Sequence, residues 1–425
     1  MMPRFFYSLL FYLVQPLVWL RLLWRARKQP EYLRHLGERY GFHSQAAPGR
    51  LLWLHAVSVG ETRAAEPLIK ALLDEYSDHS LLLTHMTPTG RATGAELIAK
   101  YGPRLMQAYL PYDLPDACGR FLDHFKPRLG LLMETELWPN LIAAARQRNL
   151  PLSLVNARLS ARSQRGYQRL SPLMRPALDT LRAVAAQTPT DAERLLAIGA
   201  RRVSVCGNLK FDVTPSAEKL QLGAEWRREL GSRPVWLAAS TREGEEVLIL
   251  DAFARINRPD LLLLLVPRHP QRFSEVLALV QGRKFAFCRR SEGSLPSHIT
   301  RVLIGDSMGE MPAYFALADV ALIGGTLLPY GGQNLIEAAA CGCPVLVGPH
   351  TFNFAQATED AIACGAARRI ADADDAASEV GKLLENREAL HSMRAAAASF
   401  SQAHRGATAR TLALIREITA PRTAD

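Results

Sequence analysis

The sequence lacks the short motifs that mark several common nucleotide-binding and metal-binding proteins. No G-x-x-x-x-G-K-[ST] run occurs in its 425 residues, which argues against a P-loop ATPase. No G-x-G-x-x-G opens an α/β unit, which argues against a nicotinamide-dependent dehydrogenase. The six cysteines have no paired C-x-x-C spacing, so neither a zinc site nor a disulfide framework is predicted. A reducing cytoplasm is the simplest compartment for such a chain.

Basic residues outnumber acidic ones, since the chain has 51 Lys and Arg but only 41 Asp and Glu, which gives a net charge of +10. Such an excess fits nucleic acid, an anionic membrane, a phosphorylated substrate, or a solvated surface with no partner. Four basic residues directly follow an apolar stretch near the amino terminus: Arg21, Arg25, Arg27 and Lys28. Their position favours an anionic membrane as partner and argues against nucleic acid.

Only one long apolar stretch is present, from Phe5 to Trp24, and it is interrupted by Gln15, Pro16 and Arg21. About 20 apolar residues span a bilayer, so a single transmembrane anchor, a tilted interfacial helix and a soluble core helix all stay open. No small-residue cleavage site follows, which argues against a removable signal peptide. The basic residues on the carboxyl side place the rest of the chain on the cytoplasmic face.

From residue 50 onward, short apolar runs alternate with amphipathic stretches of helical length. This rhythm predicts parallel sheets covered by helices on both faces. We expect two doubly wound α/β domains in tandem, with the boundary in the polar stretch after Lys210. Ligands of such sheets bind beyond the carboxyl ends of the strands, where two sheets could face one cleft. Helices are predicted at Glu61–Tyr76, Trp138–Gln147 and Asp191–Ile198, and strands at Leu51–Ala56, Leu81–His85, Arg128–Met133, Pro151–Asn156, Ala183–Gln187, Val235–Ser240, Leu261–Val266, Arg301–Gly305, Val320–Gly324 and Val345–Gly348.

Two glycine-containing loops in the second half follow predicted strands and precede predicted helices. In Gly331–Glu337, glycines let backbone N–H groups approach a phosphate, and Asn334 is a candidate N-cap of the next helix. Glu337, one turn into that helix, is suited to ribose hydroxyls, although a charge that complements the helix dipole is the alternative. In Gly305–Glu310, the backbone at Met308 and Gly309 could bind a base or a phosphate.

A basic residue follows a third strand in the same half. Pro267–Pro270 ends a very apolar strand, so Arg268 should emerge at the edge of the sheet. A guanidinium there suits a phosphate or a carboxylate, which it can bind through two hydrogen bonds. A lone arginine after a strand would be weak support, but three anion-binding loops at neighbouring strand ends strengthen one another.

In the first half, Ser58-Val59-Gly60-Glu61 joins a strand to its helix. Glu61 should lie near the helix amino terminus, where the dipole favours the ionised carboxylate. An ionised carboxylate at that place is suited to take a proton from an acceptor hydroxyl. A glutamate that only stabilises its own helix is an equally good interpretation from the sequence alone.

Two further segments of the first half place charges near the same strand ends. Glu134–Asn140 puts two carboxylates beside Trp138, which suggests sugar contact or charge shaping; a capping role for Thr135, with Pro139 in the first turn, is the alternative. Lys210, in Gly207–Asp212, lies near the expected domain junction. Its cation could offset charge on a departing phosphate.

Taken together, these segments resemble the 3-deoxy-D-manno-octulosonic acid (Kdo) transferases of Gram-negative lipopolysaccharide synthesis. The resemblance runs nearly end to end and includes the apolar amino terminus. The segments that carry it are Gly37–Gly41, His55–Glu61, Thr87–Gly90, Leu110–Asp113, Met133–Asn140, Asn156–Ser160, Gly207–Asp212, Val266–His269, Gly305–Glu310, Gly331–Glu337 and Gly348–Phe354.

The resemblance implies a GT-B fold, in which two Rossmann-like domains face a central cleft, with an amino-terminal membrane-associated helix. We assign residues 1–28 to the anchor with its basic flank, 29–212 to an acceptor-binding domain, and 213–425 to a CMP-sugar-binding domain. The implied donor is CMP-Kdo, the acceptor is a phosphorylated lipid A precursor, and no metal or other cofactor is needed. The implied location is the inner membrane, on anionic lipids and facing the cytoplasm, without nucleic acid.

The same resemblance implies roles for individual residues. Glu61 resembles the general base, and Glu134 and Lys210 resemble charge-stabilising groups. The implied CMP site consists of Arg268, His269, Met308, Gly309, Glu310, Asn334, Leu335, Ile336 and Glu337. The sequence departs from the family pattern where Tyr330 precedes the glycine pair and where Gln333 replaces an expected basic or histidine side chain.

Two other function classes remain open. A GT-B UDP-sugar transferase or epimerase would share the fold but prefer UDP to CMP. A non-enzymatic, membrane-tethered binder of anionic polymers would show steep salt dependence and form no sugar-transfer product. The carboxylates and glycine loops at strand ends argue against the second class.

Overall fold

Continuous apolar runs form the central strands of two parallel sheets, and both faces of these strands are buried. The computed structural model describes residues 2–27, 29–293 and 295–419. The chain divides into two units, each with one sheet. Unit 1 comprises the described residues of Met1–Val213 and Arg405–Asp425, and unit 2 comprises those of Thr214–His404.

Unit 1 contains a seven-stranded parallel sheet in the order β3-β2-β1-β4-β5-β6-β7. Its strands are β1 Leu51–His55, β2 Ser80–His85, β3 Leu105–Tyr109, β4 Leu129–Met133, β5 Leu152–Ala157, β6 Ala183–Ala186 and β7 Val203–Val205. The helices up to the end of this sheet are α1 Met2–Leu13, α2 Gln15–Ala26, α3 Val59–Glu75, α4 Pro88–Tyr101, α5 Pro115–Phe125, α6 Pro139–Gln147, α7 Ala161–Arg169, α8 Ser171–Leu178 and α9 Pro189–Ala197. Short 3₁₀ turns lie at Pro30–Leu33, Glu38–Tyr40 and Leu209–Asp212.

Unit 2 repeats this architecture, with a sheet in the order β10-β11-β9-β8-β12-β13-β14. Its strands are β8 Val235–Thr241, β9 Leu262–Pro267, β10 Phe287–Arg289, β11 Val302–Ile304, β12 Val320–Ile323, β13 Val345–Val347 and β14 Ala367–Arg369. Its helices are α10 Ala217–Leu230, α11 Glu245–Arg255, α12 Phe273–Gly282, α13 Met311–Leu317, α14 Leu335–Ala340, α15 Ala355–Ala363, α16 Ala373–Glu385 and α17 Arg387–Ala403, with 3₁₀ turns at Pro270–Arg272 and Arg290–Glu292. Two doubly wound α/β units are thus as the sequence predicts.

Proline and threonine explain where several helices of unit 1 begin. The helices α4 and α9 each start with a proline in the first turn. Proline lacks an N–H, and in the first turn of a helix an N–H would have no intrahelical acceptor. Thr87 caps α4 by accepting a 3.0 Å hydrogen bond from the Gly90 amide, and Thr188 caps α9 at 3.1 Å from the Asp191 amide. These starts lie at the carboxyl edge of the sheet, where the loops after the strands cluster.

The predicted second domain, residues 213–425, extends too far at its carboxyl end. The last helix, α18 Ala407–Thr419, belongs to unit 1. Asp212 accepts a 2.7 Å hydrogen bond from the Gly406 amide at the start of this helix, and Arg416 forms an ion pair with Glu75 of α3. The predicted boundary near residue 212 agrees closely with the division after Val213.

The apolar amino terminus forms two helices, α1 and α2, instead of the single stretch assigned to residues 1–28. No single helix in the described part of the chain has the length and apolar composition to cross a bilayer, while α1 and α2, bent by 46°, meet that test only as a pair. Tyr7 donates a 2.9 Å hydrogen bond to Asp113, so the segment also packs on unit 1. Lys28 of the predicted basic flank lies outside the described residues.

Candidate active site

The predicted catalytic side chains of unit 1 gather at the carboxyl edge of its sheet. Glu61 follows β1 and Glu134 follows β4, and Arg158, which was not among the predicted catalytic residues, follows β5. Lys210 lies in the 3₁₀ turn Leu209–Asp212. Because all strands of a parallel sheet end at the same edge, loops far apart in sequence meet there.

Glu61 lies in the first turn of α3, after Ser58 as the N-cap residue. Its Oε2 accepts a 2.7 Å hydrogen bond from the Val57 amide, and the Ser58 hydroxyl lies 3.4 Å from Oε1. Burial raises the pKa of Glu61 to about 8, and the charge of Glu134 adds to the effect. The predicted position is therefore confirmed, but the expectation that the helix dipole keeps this carboxylate ionised is wrong, because burial and a neighbouring charge outweigh the amide hydrogen bond.

Glu134 is the opposite case. It is buried and its backbone is in the left-handed region, with φ 55°. Lys210 Nζ lies 3.3 Å from its Oε1, and Arg158 Nε donates to its Oε2 at 2.9 Å. Burial alone would raise the pKa of Glu134, but the two cations hold the pKa below its ordinary value. Glu134 is therefore ionised beside the protonated Glu61 at neutral pH.

Asparagines fix the position of Lys210. Asn156, at the end of β5 and also in the left-handed region, accepts a 3.0 Å hydrogen bond from the Leu209 amide. Asn208 accepts another of 3.0 Å from the Lys210 amide. Non-glycine residues in this backbone region cost free energy and are concentrated at functional sites. The motif Asn156–Ser160 thus supplies both the support of Lys210 and, through Arg158, a second cation for Glu134.

The second carboxylate of the Glu134–Asn140 segment contacts an aromatic ring. Trp138 Nε1 donates a 2.6 Å hydrogen bond to Glu136, whose pKa is raised by burial. The predicted capping role of Thr135 is wrong, because the N-cap residue of α6 is Trp138 and has no side-chain cap. Asp113 provides the cap instead, since its carboxylate accepts hydrogen bonds from the Asn140 amide at 3.1 Å and the Leu141 amide at 2.7 Å.

In unit 2, the predicted CMP-site residues also follow strand ends. Asn334 caps α14, as predicted, by accepting a 3.2 Å hydrogen bond from the Ile336 amide. The side chains of Leu335 and Ile336 are buried, so these residues can offer a ligand only backbone groups. Glu337 is half-buried in the first turn of the same helix.

Arg268 and His269 follow β9. Arg268 Nε donates a 3.2 Å hydrogen bond to Gln333 Oε1, so the side chain that departs from the family pattern contacts a predicted phosphate ligand directly. His269 Nε2 lies 3.0 Å from Arg242 Nη1. Burial lowers the pKa of His269, and the neighbouring arginines lower it further. His269 is therefore uncharged at neutral pH and can accept a hydrogen bond.

The loop after β11 has one exposed and one anchored part. Met308 is exposed, and Gly309 has a positive φ of 78°, which suits glycine. Arg290 donates two hydrogen bonds to Glu310, of 3.0 and 2.9 Å. Burial alone would raise the pKa of Glu310, but hydrogen bonds from Ser307 and Arg290 hold it below its ordinary value. Arg290 escaped the sequence predictions because the strand that it follows, β10, is a three-residue edge strand without a continuous apolar run.

Buried glutamates that the sequence reasoning missed hold these loops together. Glu245 accepts hydrogen bonds from the amides of Gly325 at 2.6 Å and Leu327 at 3.0 Å, and so ties the loop after β12 to the start of α11. Glu246 is fully buried and pairs with Arg272 at 2.6 and 3.1 Å. The signal that could have identified this support is the adjacent pair Glu245 and Glu246, which follows β8 and a glycine.

As for metals, no group of three or more His, Cys, Asp or Glu side chains in the described ranges is arranged to hold a metal ion. The candidate ligands in both units are instead amides, guanidinium groups and carboxylates. Such groups suit phosphates, hydroxyls and proton transfer.

Comparisons with known proteins agree on one family. A family model described as 3-Deoxy-D-manno-octulosonic-acid transferase (kdotransferase) matches residues 34–213, and one described as Glycosyl transferases group 1 matches residues 239–400. A 3-deoxy-D-manno-octulosonic acid transferase of Bordetella pertussis is 47% identical over 423 residues, which cover 97% of this chain and 98% of that protein. The protein of the same name from Haemophilus influenzae is 37% identical over 426 residues, which cover 98% of both.

Solved structures of low identity confirm the fold. A glycosyltransferase from Rickettsia africae matches with a TM-score of 0.60 and 13% identity, over 90% of this chain and 100% of that chain. A UDP-GlcNAc 2-epimerase from Neisseria meningitidis matches with a TM-score of 0.56 and 14% identity, over 87% of this chain and 100% of that one. These likenesses establish the GT-B class of two α/β domains and carry no further statement about substrate.

Proposed function

Because the chain belongs to the 3-deoxy-D-manno-octulosonic acid (Kdo) transferase family, we propose that it moves Kdo from CMP-Kdo to a glucosamine hydroxyl of a lipid A precursor. The observation that carries the mechanism is a pair of carboxylates in unit 1 whose pKa values are driven in opposite directions, Glu61 upwards and Glu134 downwards. Two carboxylates whose pKa values are shifted apart in this way can take different roles, one in proton transfer and the other in charge stabilisation.

Glu61 is the proposed general base. The acceptor hydroxyl gives its proton to the Glu61 carboxylate while its oxygen attacks the anomeric carbon of Kdo. The bond between that carbon and the phosphate oxygen breaks, and CMP leaves with the electron pair. Attack opposite the leaving group inverts the anomeric centre through an oxocarbenium-like state. The raised pKa makes the ionised Glu61 a stronger base than an ordinary carboxylate.

Glu134 and Lys210 are proposed to stabilise charge. In the ion pair with Lys210, Glu134 keeps a negative charge that opposes the positive charge of an oxocarbenium-like state. The same charge raises the basicity of Glu61. We also retain the proposed role of Lys210 toward a departing phosphate. A phosphate that approached the Lys210 ammonium group would share this cation with Glu134.

Unit 2 is proposed to bind the donor. Arg268 offers a guanidinium to the phosphate or to the Kdo carboxylate, and the uncharged His269 offers a hydrogen-bond acceptor or donor beside it. The backbone at Met308 and Gly309 is open to the base, and Glu337 is assigned to the ribose hydroxyls. Glu310, Asn334, Leu335 and Ile336 complete the proposed CMP site, with Glu310 and Asn334 acting through the loop and helix that they anchor.

The proposed location is the inner membrane, with both units in the cytoplasm. The supporting observation is the large exposed apolar surface of α1 and α2, where Phe5, Leu13, Leu17, Leu20 and Trp24 are all more than 60% exposed. Exposed apolar surfaces of this size mark membrane or protein contacts. Attachment there would keep the enzyme where a lipid acceptor resides.

The test mixes the purified chain with a tetra-acylated disaccharide lipid A precursor and freshly generated CMP-Kdo, and weighs the lipid by mass spectrometry. A gain of one or more Kdo units is expected. Glu61→Gln should lose at least roughly 10²-fold in turnover while it stays folded. The matched control is Glu96→Gln on α4, whose exposed side chain lies 3.8 Å from Arg63 in a surface ion pair. Transfer from UDP-sugars but not from CMP-Kdo would reject the proposal in favour of another GT-B activity.

A further inference from the structure

A basic cavity lies at the amino edge of the unit 1 sheet, at the opposite end of the strands from Glu61. Its volume is about 480 Å³, and four of its lining residues are arginines: Arg146, Arg182, Arg201 and Arg202. Arg182 directly precedes β6, Arg202 directly precedes β7, and Arg146 lies near the end of α6. The fold therefore brings together four cations from three separate segments of the sequence.

Few acidic groups offset this charge. Arg201 pairs with Asp179 at 2.9 Å. Among the residues that the structure describes, the side chains of Arg146, Arg182 and Arg202 have no carboxylate within ion-pair distance. Three like charges around one cavity repel one another and attract an anion. Guanidinium groups are well suited to a phosphate, which they can bind through paired hydrogen bonds.

A second groove continues from the first, because Arg146 and Thr180 line both. This groove is largely apolar and has a similar volume of about 480 Å³. Its walls include Ala143, Pro172 and Leu173, and Pro3 of α1 closes one side. Arg4 of α1 also lines the groove, and the two residues that follow it, Phe5 and Phe6, are 65% and 59% exposed. The apolar groove thus leads from the arginine cavity to the exposed apolar surface of the amino-terminal helix.

We infer that this composite groove binds one anionic glycerophospholipid, with the headgroup phosphate in the arginine cavity and an acyl chain along the apolar groove. A soluble phosphate would need only the arginines, whereas the continuous apolar wall beside α1 fits a ligand with a hydrocarbon part. The sugar acceptor is a different ligand, since its hydroxyl reacts at the other edge of the sheet. The inference rests on the proposed membrane location of the chain but not on the transfer reaction.

Binding of a single lipid at this point would also set the orientation of unit 1 on the membrane. The helices α1 and α2 supply apolar attachment, which leaves rotation about them unrestricted. A headgroup held by arginines at the amino edge provides a second point of attachment. Two such signals together give firmer membrane association than one.

The test measures binding of the full chain to dihexanoyl phosphatidylglycerol, dihexanoyl phosphatidylcholine and glycerol phosphate by calorimetry. We expect binding of the first only, because it alone combines a net negative charge with acyl chains. The triple variant Arg146→Gln, Arg182→Gln, Arg202→Gln should bind it at least roughly tenfold more weakly, since each cation near an anionic headgroup strengthens binding. Ala143→Gln, which puts a larger polar side chain at a half-buried position in the wall of the apolar groove, should weaken it as well.

The matched control removes three exposed arginines elsewhere, Arg228, Arg255 and Arg387, and should bind like the wild type. Unchanged affinity in the cavity triple variant would overturn the inference, and so would an equal loss in the control. Glycerol phosphate bound as tightly as the lipid would also overturn it, since the site would then bind a soluble anion. Kdo transfer in detergent micelles is measured in parallel; the triple variant should retain it, and a wild type without transfer would reject the proposed function while leaving the lipid result intact.

Discussion

Lys210 Nζ lies 3.3 Å from Glu134 Oε1, and this ion pair decides which of two neighbouring carboxylates carries a proton. Together with Arg158, Lys210 keeps Glu134 ionised in spite of its burial. The resulting negative charge adds to the effect of burial on Glu61, whose pKa is about 8. The protonation states of the proposed site are therefore set by a cation that touches only one of the two carboxylates, and the pair titrates as a coupled system.

Glu134→Gln should move the acidic limb of the pH profile of kcat/KM to lower pH. The wild-type limb is expected near pH 8, because Glu61 must be ionised to act as the base. Removing the Glu134 charge leaves burial as the main cause of the raised pKa of Glu61, so that pKa falls. Glu136→Gln is the matched control, because Glu136 raises the pKa of Glu61 less than Glu134 does. If the acidic limb of Glu134→Gln stays at the same pH or moves to higher pH, the result would contradict the electrostatic coupling.

Glu61→Gln should gain stability relative to the wild type as the pH rises. The pKa of Glu61 is raised from 4.5 to about 8 in the folded chain, so folding binds its proton. That contribution is complete below about pH 4.5 and is lost as the pH passes through about 8, where an ionised Glu61 must stay buried. Glutamine carries no such dependence. We expect the difference in Tm to grow by on the order of ten degrees between pH 5 and pH 9, because each pKa unit is about 1.4 kcal/mol and a unit of this size shifts by roughly 2–4 °C per kcal/mol.

The measurement is differential scanning fluorimetry of both proteins across that pH range, without ligands. Glu96→Gln on the surface of α4 is the reference for the loss of an exposed carboxylate and should follow the wild type at every pH. Parallel Tm curves for Glu61→Gln and the wild type would mean that Glu61 is ionised at neutral pH, and would remove the basis for its raised basicity.

The parts of the fold that the sequence predicts are the central strands. Leu262–Pro267 is a continuous apolar run because helices cover both faces of its sheet. The four strands that escaped prediction, β3, β7, β10 and β14, are the edge strands of the two sheets. Edge strands are less buried and tolerate polar residues, as Ala367–Arg369 shows with two exposed arginines. The apolar pattern therefore fades where a sheet ends.

The candidate site could be predicted by residue type but not by charge state. Glu61 and Glu134 follow from their places after strands and before helices, and Lys210 follows from its place near the expected domain junction. The pairing of Arg158 with Glu134 depends on which loops meet at the sheet edge, which the local sequence does not state. The helix-dipole argument gave the wrong direction for Glu61, because burial and the distance to another carboxylate are tertiary properties.

Arg39→Met should lower kcat at least roughly tenfold, although Arg39 is remote from the proposed chemistry. Arg39 is buried over the ring of Tyr109 and donates a 3.2 Å hydrogen bond to the Met86 carbonyl. The Met86 amide donates to the Val57 carbonyl at 3.2 Å, and the Val57 amide donates to Glu61 at 2.7 Å. Loss of Arg39 should therefore shift the loop that holds the base, and small misplacements of a catalytic group reduce the rate strongly.

Arg104→Met is the matched control for this prediction. Arg104 also donates to backbone carbonyls of unit 1, including that of Leu73 at 2.9 Å, but at the far end of α3. Its loss should lower Tm without a comparable change in kcat at temperatures where the protein is folded. Arg39→Lys should recover part of the rate, because it keeps a cation over Tyr109. Equal effects of Arg39→Met and Arg104→Met on kcat would reduce the role of Arg39 to general stability.

Arg272→Met should destabilise unit 2 by about 3–5 kcal/mol, because it leaves a fully buried carboxylate without its cation. Glu246 has no solvent exposure and receives two hydrogen bonds from Arg272, of 2.6 and 3.1 Å. Its remaining partner is the Thr241 hydroxyl at 2.7 Å. The double variant Arg272→Met, Glu246→Gln should recover much of the loss, since it removes the unpaired charge. Urea denaturation of the four proteins of this cycle gives the coupling directly.

The same cycle also bears on donor binding. Thr241 ends β8, and its carbonyl accepts a 3.0 Å hydrogen bond from the amide of Arg268, the proposed phosphate ligand. An unpaired Glu246 should therefore raise KM for CMP-Kdo in Arg272→Met, and the double variant should restore KM together with stability. Recovery of stability without recovery of KM would mean that Arg272 itself attracts the donor. The double variant has no unpaired charge at the end of β8, but it still lacks the Arg272 cation.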